Sequence, residues 1–302
     1  MSGIEKTIKL NVETGNMRLD AYIADNTDIS RSFAERLVTD EFVKVNGVSK
    51  PKKYKVKSGD SIVIDVPREE VPELTPVKMD IEIIYDCDEF AVINKPAGIT
   101  VHPAPGHADD TIVNAMLAEF DITDDNDLRP GIVHRLDKDT SGLMIVAKNR
   151  KSREVLSKVF ADRDIDKRYL AVCWGKPKEL EFTIEQPIGR HYKDRKRMCV
   201  REDGRYSKSG VRVLKQNNNA FLAEIRIFTG RTHQIRVHMS HAGFPLAGDV
   251  VYGHRQSLKL PIKRQALHSF RLAFVSPFTG EDMVFESPLP LDMKELIIGL
   301  KL

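Results

Sequence analysis

The stretch GIVHRLDKDTSGLMIVAKN, residues 131–149, places a charged segment directly before a run of strand-forming residues. Residues 142–148 are apolar up to their final lysine and predict a buried β-strand. The segment HRLDKDTSG (His134–Gly142) therefore lies at the end where this strand begins. A carboxylate beside an arginine in such a place either forms a structural ion pair or reacts while the cation keeps it ionised. The residues alone leave both alternatives open.

A second polar segment, TGRTHQIRVH (Thr229–His238), has the pattern of a glycine turn followed by a helix. Thr232 is a suitable N-cap, and the helix is predicted to continue to Ala242. Its apolar stripe faces the core, so Arg231 and Arg236 are predicted to point outward. Such arginines bind phosphate, pair with a buried carboxylate or only keep the surface soluble. The sequence does not decide among these roles. It also does not show whether the two polar segments meet in space.

Motifs for metals, nucleotides and organic cofactors are missing from the sequence. It contains no GxxxxGK[ST], GxGxxG, HExxH or GxSxG pattern. His233, His238 and His241 suggest a metal site, but side chains at this helical spacing do not converge on one ion. The three cysteines match neither a zinc knuckle nor a redox pair. We therefore expect neither a metal nor a cofactor.

The chain has 302 residues, of which 41% are apolar and 30% are charged. This length favours two domains and is enough to bury about 75% of the unfolded surface, which excludes a disordered or collagen-like protein. No apolar run reaches the roughly 18 to 20 residues that span a bilayer, and the first residues lack the apolar stretch of a signal peptide. We expect a soluble, cytoplasmic protein.

The predicted linker is PREEVPELTPVK, residues 67–78, where three prolines and three glutamates interrupt the hydrophobic periodicity. Before it, residues 13–66 predict a small domain with two short helices, the second capped by Ser30, and a hairpin turning at Asn46-Gly47. After it, residues 79–302 predict an α+β domain around a mixed sheet. Its predicted strands are 81–85, 90–94, 142–148, 169–174, 211–214 and 220–228, and its predicted helices are 111–120, 151–161 and 232–242.

Two basic clusters stand out in a chain whose net charge is only +3. Residues 42–59 contain six lysines and no acid, among them Lys50, Lys52 and Lys53. Residues 190–215 contain ten cations and three acids. Such clusters favour contacts with nucleic-acid phosphates, because cations that bind phosphate release counterions. A solvated charged face is the alternative for each cluster.

Five blocks of the larger domain resemble, in order, the motifs of the RluA family of pseudouridine synthases. They are NKPAGITVHP (94–103), GIVHRLDKDTSGLMIVAKN (131–149), KRYLAVCWG (167–175), TGRTHQIRVHMSHAGFPLAGDVVYG (229–253) and RQALHSFRL (264–272). The first 66 residues resemble, more loosely, the small RNA-binding domain shared with a small-subunit ribosomal protein. The resemblance implies the pseudouridine synthase fold, with a mainly antiparallel sheet, and a small α/β RNA-binding domain.

The resemblance also implies a reaction, the isomerisation of uridine to pseudouridine in structured RNA, without metal or cofactor. The aspartate of HRLD is Asp137, which is expected to act on the sugar, as a nucleophile at the anomeric carbon or as a base at the neighbouring carbon. Tyr169 is expected to stack on the uracil and is a candidate to assist proton loss from carbon 5. Arg236 is expected to pair with Asp137.

Substrate-binding residues follow from the same blocks and from the basic clusters. They are His134, Arg135, Arg231, Lys50, Lys52 and Lys53. The target base must leave its stack, and the planar guanidinium of Arg135 is expected to fill the gap. The lysines are expected to contact phosphates rather than bases.

The expected substrate is large-subunit ribosomal RNA, because the small domain resembles that of ribosomal RNA members of the family, and transfer RNA is the alternative. A non-catalytic RNA-binding or ribosome-assembly protein would have no need for Asp137, Tyr169 and Arg236 together. A phosphoryl-transfer enzyme would need a magnesium-binding carboxylate cluster, which Asp139 alone does not supply. We expect the protein to act as a monomer.

Overall fold

The structure is a computed structural model that describes residues 4–67, 74–103, 107, 109–120, 122, 129–194 and 197–302. The chain forms two compact units, Met1–Pro72 and Glu73–Leu302. Residues 68–73 of the predicted linker lie outside the described residues. In the described part of the chain, no helix is long and apolar enough to cross a membrane.

The first unit contains a four-stranded antiparallel sheet and two helices. Its elements are β1 (Ile4–Asn11), α1 (Leu19–Asn26), α2 (Arg31–Thr39), β2 (Val43–Val45), β3 (Val48–Ser49) and β4 (Ser61–Pro67). The strand order is β1-β4-β2-β3. Strand β1 precedes residue 13, where the sequence placed the start of the small domain. It is an edge strand in which only Ile8 and Leu10 are half-buried, so its apolar pattern is weak.

Two local predictions in this unit are confirmed. The hydroxyl of Ser30 accepts a hydrogen bond from the Phe33 amide at 3.3 Å, so Ser30 caps helix α2. Asn46 and Gly47 have φ values of 53° and 78° at the turn between β2 and β3. Two consecutive positive φ values are what a type I′ hairpin turn requires.

The second unit contains most of the chain. Its strands are β5 (Glu82–Asp86), β6 (Phe90–Lys95), β7 (Ser141–Ala147), β8 (Ile165–Trp174), β9 (Glu181–Glu185), β10 (Ile188–Arg190), β11 (Met198–Val200), β12 (Lys208–Gln216), β13 (Ala220–Ile227), β14 (Leu267–Val275) and β15 (Asp282–Glu286). Its α-helices are α3 (Ile112–Glu119), α4 (Arg150–Asp162), α5 (Gln234–His241) and α6 (Leu291–Leu300), with a 3-10 turn at Ser257–Lys259.

Nine of these strands form one sheet in the order β5-β6-β7-β14-β8-β13-β12-β9, with β15 paired to β14. Strands β7 and β14 are parallel, and the other neighbouring pairs are antiparallel. Strands β10 and β11 form a separate ribbon. The prediction of an α+β fold around a mixed, mainly antiparallel sheet is confirmed.

Strand β8 begins four residues before its predicted start at residue 169, and the reason is its charged outer face. Residues alternate between buried and half-buried positions along its first half. Asp166 and Arg168 occupy the outer positions and pair with each other at 2.8 Å. Arg226 and Arg271 from the neighbouring strands also contact Asp166, at 2.7 and 2.8 Å. This ion network lets charged residues continue a strand whose other face is buried.

The packing of the sheet places the two polar segments of the sequence side by side. Gly142, at the start of β7, has a φ of 112°, and a Cβ atom there would overlap the Ser269 carbonyl oxygen. Glycine therefore allows β7 to approach β14 in parallel. Helix α5 packs on the sheet through Ile235 and Met239, which belong to the main hydrophobic core. The start of α5 consequently lies next to the segment that precedes β7.

Candidate active site

A cavity of about 340 Å³ lies between the HRLDKDTSG segment, strand β8 and the start of helix α5. Its volume falls in the range of about 300 to 1,000 Å³ that is usual for small-molecule sites. Its lining includes all six residues that the sequence predicted in this unit, which are His134, Arg135, Asp137, Tyr169, Arg231 and Arg236. The two polar segments therefore meet in space and share one site.

Asp137 and Arg236 are 99 residues apart in the chain and in direct contact in the fold. Arg236 donates a hydrogen bond from Nη1 to Oδ2 of Asp137 at 3.0 Å. The side chain of Asp137 is 17% exposed and that of Arg236 is 6% exposed, so the ion pair is shielded from water. The prediction that Arg236 points outward is wrong, because its guanidinium is buried among carboxylates that satisfy its charge.

A second carboxylate, Asp249, holds the same arginine from the other side. It accepts hydrogen bonds from Arg236 Nε at 2.7 Å and from Nη2 at 3.0 Å, and its side chain is fully buried. The backbone amides of Val251 and Tyr252 also donate to Asp249, at 2.9 and 3.0 Å. Burial acts to raise the pKa of Asp249, but the hydrogen bonds and charge of Arg236 outweigh it and lower that pKa. Asp249 is thus ionised beneath Arg236.

Sequence reasoning missed Asp249, although a signal for it was present. The residue lies in the block resembling family motifs, as the single acid of the stretch AGFPLAGDVVYG, residues 242–253. An isolated acid in a mostly apolar stretch needs a buried cation, because an unpaired buried charge is costly. The cation that satisfies Asp249 is Arg236, which lies 13 residues earlier in the same block.

Tyr169 lies in the buried row of strand β8 and is 6% exposed. Burial raises the pKa of its phenol well above the usual range, and the charge of Asp137 adds to this effect. The phenol is therefore neutral at physiological pH. Tyr169 therefore contributes an uncharged aromatic side chain to the cavity lining.

Cations without acidic partners line the same cavity. In the described part of the chain, neither Arg135 nor Arg163 has an ion-pair partner, and Arg135 is exposed. Lys167 is 8% exposed. Burial and the nearby Arg163 lower the pKa of Lys167 to about 8. Several positive charges brought together without a balancing acid favour the binding of an anion.

Arg231 continues this cationic wall towards a neighbouring surface depression. Its Nε donates to the Tyr206 carbonyl at 3.1 Å. Burial lowers the pKa of Arg231, and the nearby Arg205 and Arg163 lower it further. The depression contains Arg190, Arg205 and Arg231, which belong to or adjoin the predicted basic cluster at 190–215. Arg195 and Lys196 of that cluster lie outside the described residues.

His134 lines the cavity, but its ring is already held by the protein. Its Nε2 accepts a hydrogen bond from the Ile145 amide at 2.9 Å, and the ring stacks on Phe160 with 4.4 Å between centroids. Burial lowers the pKa of His134 to about 3, and the nearby Lys167 contributes. The neutral imidazole therefore attaches the Asp137 segment to strand β7.

The loop that carries Asp137 is fixed from behind by three further side chains. Lys95 is fully buried and donates from Nζ to three carbonyl oxygens at 2.8 to 2.9 Å, one of them that of Lys138. Arg264 donates to the Asp139 carbonyl at 3.1 Å. His268, which is 1% exposed, bonds through Nδ1 to the Ser141 hydroxyl at 3.0 Å. The loop is thereby positioned before any substrate binds.

The N-cap of helix α5 lies one residue later than Thr232, the N-cap predicted from the sequence. The N-cap is His233, with φ 56° and ψ 21° and no side-chain capping bond. The first turn is held by Gln234, whose Oε1 accepts from the Arg231 amide at 3.0 Å and from the Thr229 hydroxyl at 2.7 Å. The left-handed backbone of His233 directs its imidazole into the cavity. Nε2 of His233 lies 3.9 Å from Oδ1 of Asp137.

No group of three or more His, Cys, Asp or Glu side chains suited to a metal is found among the described residues. His238, considered as a ligand, is fully buried and bonded to the Ser209 hydroxyl at 2.9 Å and the Gln186 carbonyl at 3.0 Å. It links helix α5 to the strands beside it.

The three predicted lysines of the first unit have different surroundings. Lys52 forms an ion pair with Glu35 of helix α2, so its charge is already balanced. Lys50 lies over the ring of Tyr54, 5.7 Å from its centroid. Lys53 is exposed. The sequence indicated no acid near these lysines, but Glu35 comes from an earlier helix and reaches Lys52 only in the folded unit.

Comparisons with known proteins agree on one family. The profile described as RNA pseudouridylate synthase matches residues 89–241. An RNA pseudouridine synthase of Bacillus subtilis is 42% identical, and the match covers 97% of each chain. Ribosomal large subunit pseudouridine synthase D of Pseudomonas aeruginosa is 39% identical over 99% of this chain and 96% of the relative.

A solved structure supports the fold. Human RNA pseudouridylate synthase domain containing 1 superposes with a TM-score of 0.58 at 24% identity, and the match covers 78% of this chain and 98% of the human one. At this identity the likeness concerns the fold, while the matches in sequence concern the family.

Proposed function

Because this chain belongs to the RNA pseudouridylate synthase family, we propose that it isomerises uridine in large-subunit ribosomal RNA, with Asp137 acting on the sugar. The chain is an RNA pseudouridine synthase, an isomerase. The choice of RNA, the target uridine and the roles of individual residues are the proposed part.

The observation that carries the catalytic assignment is the ion pair of Asp137 with Arg236 inside the cavity. Arg236 contacts only Oδ2 of Asp137, at 3.0 Å, and places a positive charge beside the carboxylate. Oδ1 has no hydrogen bond to another described residue and faces the cavity. An ionised, accessible oxygen is needed both by a nucleophile at the anomeric carbon and by a base at the neighbouring carbon. The geometry supports Asp137 in either role.

Tyr169 and Arg135 account for how a uridine reaches Asp137. A base inside folded RNA must leave its stack, at a cost of about a few kcal/mol. The ring of Tyr169 forms the cavity wall on which the uracil can stack. Arg135 is exposed at the same cavity and has no ion pair to break in the described part of the chain, so its guanidinium is free to occupy the vacated space.

The cationic wall accounts for how the RNA backbone is held. Arg163, Lys167 and Arg231 lie along the cavity, and Arg205 continues the charge beyond it. Phosphate contacts position a nucleic acid without reading its sequence. We assign His134 a supporting role, because both of its interactions, the ring stack and the Nε2 bond, are directed to the protein.

The assignment to large-subunit ribosomal RNA rests on relatives and on the first unit. The relatives of Pseudomonas aeruginosa and Zymomonas mobilis that carry the name ribosomal large subunit pseudouridine synthase D align with 99% and 96% of this chain. Lys50 and Lys53 give the first unit charges for RNA phosphates. We also propose that the enzyme acts in the cytoplasm. We propose that it is a monomer, because the cavity described above needs no group from a second chain.

The test is to map pseudouridines in total RNA from cells with and without this gene. Loss of one or more pseudouridines from large-subunit ribosomal RNA, restored by the wild-type gene, is the expected result. Loss confined to transfer RNA would replace the proposed substrate with that alternative. An unchanged pseudouridine map would contradict the function in the cell.

A further inference from the structure

His233 occupies a position in the cavity that neither the ion pair nor the uracil stack uses. Its Nε2 lies 3.9 Å from Oδ1 of Asp137, the oxygen that Arg236 does not contact. This distance is too long for a direct hydrogen bond, for which about 2.7 to 3.2 Å is usual. An oxygen atom between the two groups can lie about 2.8 Å from each of them. The cavity therefore contains a gap with a nitrogen on one side and a carboxylate oxygen on the other.

The hydrogen bonds of Tyr252 determine which nitrogen of His233 carries the proton. The Met198 amide donates to the Tyr252 hydroxyl oxygen at 2.8 Å, and the same hydroxyl lies 2.8 Å from His233 Nδ1. Because the hydroxyl oxygen already accepts from an amide, its own proton is directed to Nδ1. Nδ1 is then an acceptor, and the ring proton is on Nε2, the nitrogen that faces Asp137.

The charge state of His233 agrees with this assignment. Burial lowers the pKa of His233 and outweighs the nearby Asp137, which acts to raise it. The imidazole is therefore neutral at physiological pH and has one N–H group. It presents a hydrogen-bond donor to the cavity without neutralising the carboxylate that acts on the sugar.

The backbone of His233 is also unusual. Its φ of 56° lies in the left-handed region, which non-glycine residues rarely adopt. Such strained conformations are concentrated at functional sites. Here the strained residue is the one that turns its ring towards Asp137, and the Tyr252 contact, with ring centroids 5.6 Å apart, holds it there.

We propose that His233 donates a hydrogen bond from Nε2 to the ribose 2′-hydroxyl of the target uridine, and that this hydroxyl donates to Oδ1 of Asp137. The inference rests on the proposed function, in which Asp137 acts at the anomeric carbon or its neighbour. The 2′-hydroxyl is attached to that neighbouring carbon, so it is the substrate hydroxyl closest to the reacting atoms. It can accept one hydrogen bond and donate another, as the gap requires. The same contact distinguishes a ribose from a deoxyribose.

Tyr252 is a positioning residue in this arrangement. It does not line the cavity, and it acts through the Nδ1 atom of His233. Its segment also supplies Asp249, which holds Arg236, so residues 249–252 support both groups that face Asp137. His233 and Arg236 lie three residues apart at the start of α5, each directed to a different oxygen of the carboxylate.

The experiment compares two enzymes on two substrates. The enzymes are the wild type and His233→Asn, which removes the imidazole and fits the left-handed backbone, since asparagine tolerates it well. The substrates are a synthetic RNA fragment with the mapped target uridine and the same fragment with 2′-deoxyuridine at that position. Single-turnover rates are measured with enzyme in excess.

We expect His233→Asn and the removal of the 2′-hydroxyl to disrupt the same hydrogen bond, so that their effects on the single-turnover rate do not multiply. Either change alone slows the wild-type reaction by about 10-fold to 100-fold, the effect of one hydrogen bond near a charged group. On the deoxy fragment, His233→Asn reacts no more than about 2-fold more slowly than the wild type. The proposal would be overturned if the loss in rate from both changes together equalled the product of the two single losses. It would also be overturned if His233→Asn converted the ribose fragment as fast as the wild type does. If the deoxy fragment is not converted by the wild type, the dissociation constants of the four complexes, measured by competition, are compared in the same way.

Two further variants separate this role from a structural one. Tyr252→Phe keeps the ring but removes the hydroxyl that bonds to Nδ1 of His233. It should therefore reduce the ratio of the rates on the ribose and deoxy fragments. A general loosening of the fold would not change this ratio. His241→Asn replaces an exposed histidine of the same helix and should behave as the wild type. A wild-type enzyme that makes no pseudouridine in the ribose fragment would contradict the proposed function instead, which is a different outcome from independent losses.

Discussion

The carboxylate of Asp249 holds the guanidinium of Arg236 through two hydrogen bonds, Nε to Oδ2 at 2.7 Å and Nη2 to Oδ1 at 3.0 Å. This bidentate contact leaves only Nη1 free to point at Asp137, which it reaches at 3.0 Å. The orientation of the cation beside Asp137 is therefore set by a residue that does not line the cavity.

Asp249→Asn is expected to reduce turnover by at least about 10-fold with little change in RNA affinity. The amide keeps the shape but removes a buried charge, so Arg236 loses one of its two ionic partners and its fixed direction. Single-turnover rate and dissociation constant are measured on the same RNA. Asp139→Asn is the matched control, since the Asp139 carboxylate has no hydrogen bond or ion pair to another side chain in the described part of the protein. Equal rates for the wild type and Asp249→Asn would show that the bidentate contact is not needed.

Arg236→Ala is expected to lower the free energy of unfolding by about 3 to 5 kcal/mol, because it leaves the buried charge of Asp249 without its cation. Activity should fall in the same variant. Chemical denaturation measures the stability. Arg231→Ala provides the comparison, because its bonding is to a carbonyl oxygen and no buried carboxylate depends on it. If both variants unfold at the same denaturant concentration as the wild type, the buried pair contributes no stability.

Much of this site could be predicted from the sequence because its residues lie in contiguous blocks. The HRLD and KRY blocks predicted Asp137 and Tyr169 as site residues, and both line the cavity. The strand pattern of residues 142–148 indicated where the first block would lie. Local periodicity failed at Arg236, because it assumed that a helical arginine faces water. Two carboxylates distant in sequence made burial favourable there, and only the tertiary structure brings them together.

Other parts of the fold carried weak signals for a different reason. Strands β10 and β11 have only three residues each, so no alternation could be seen in them. Strand β14 contains the polar residues His268, Ser269 and Arg271, which hide its strand pattern in the sequence. His268 and Arg271 find their partners, Ser141 and Asp166, in other segments of the chain. The ion pair of Lys52 with Glu35 likewise depends on the packing of a helix against a distant loop.

His268 predicts how the stability of the protein depends on pH. Its Nε2 donates to the Ser287 carbonyl at 3.3 Å, and Nδ1 lies 3.0 Å from the Ser141 hydroxyl, from which the neutral ring accepts a hydrogen bond. Burial lowers its pKa from 6.5 to about 4. Between these values the unfolded chain binds a proton that the folded chain does not, so this residue makes stability fall as the pH falls from 6.5 to 4.

His268→Gln should remove this dependence, because the amide can make both hydrogen bonds without titrating. The slope of unfolding free energy against pH in that window should become shallower by up to about 1.4 kcal/mol per pH unit. Denaturant titrations at several pH values measure it, with the exposed His241→Gln as the control. An identical slope in wild type and His268→Gln would mean that the buried ring takes up its proton in the folded state.

The lysines of the first unit are expected to differ in their effect on RNA binding. Lys50→Gln with Lys53→Gln should weaken binding and flatten the slope of log affinity against log salt, by about 0.7 to 0.9 for each phosphate that is no longer neutralised. Lys52→Gln should change the slope less, because Glu35 already balances its charge. Affinity is measured over a series of salt concentrations. A larger effect of Lys52→Gln than of the double variant would contradict this assignment.

The proposed reaction depends above all on an ionised oxygen of Asp137 that acts on the sugar of the target uridine. Asp137→Asn keeps the shape of the side chain and the cavity but removes that ionised oxygen. The decisive measurement is tritium release from RNA labelled at carbon 5 of uridine, made under single-turnover conditions and accompanied by the RNA dissociation constant. We expect no release above background by Asp137→Asn, with affinity within a few-fold of the wild type. Release at a rate comparable to that of the wild type would contradict the assignment of Asp137.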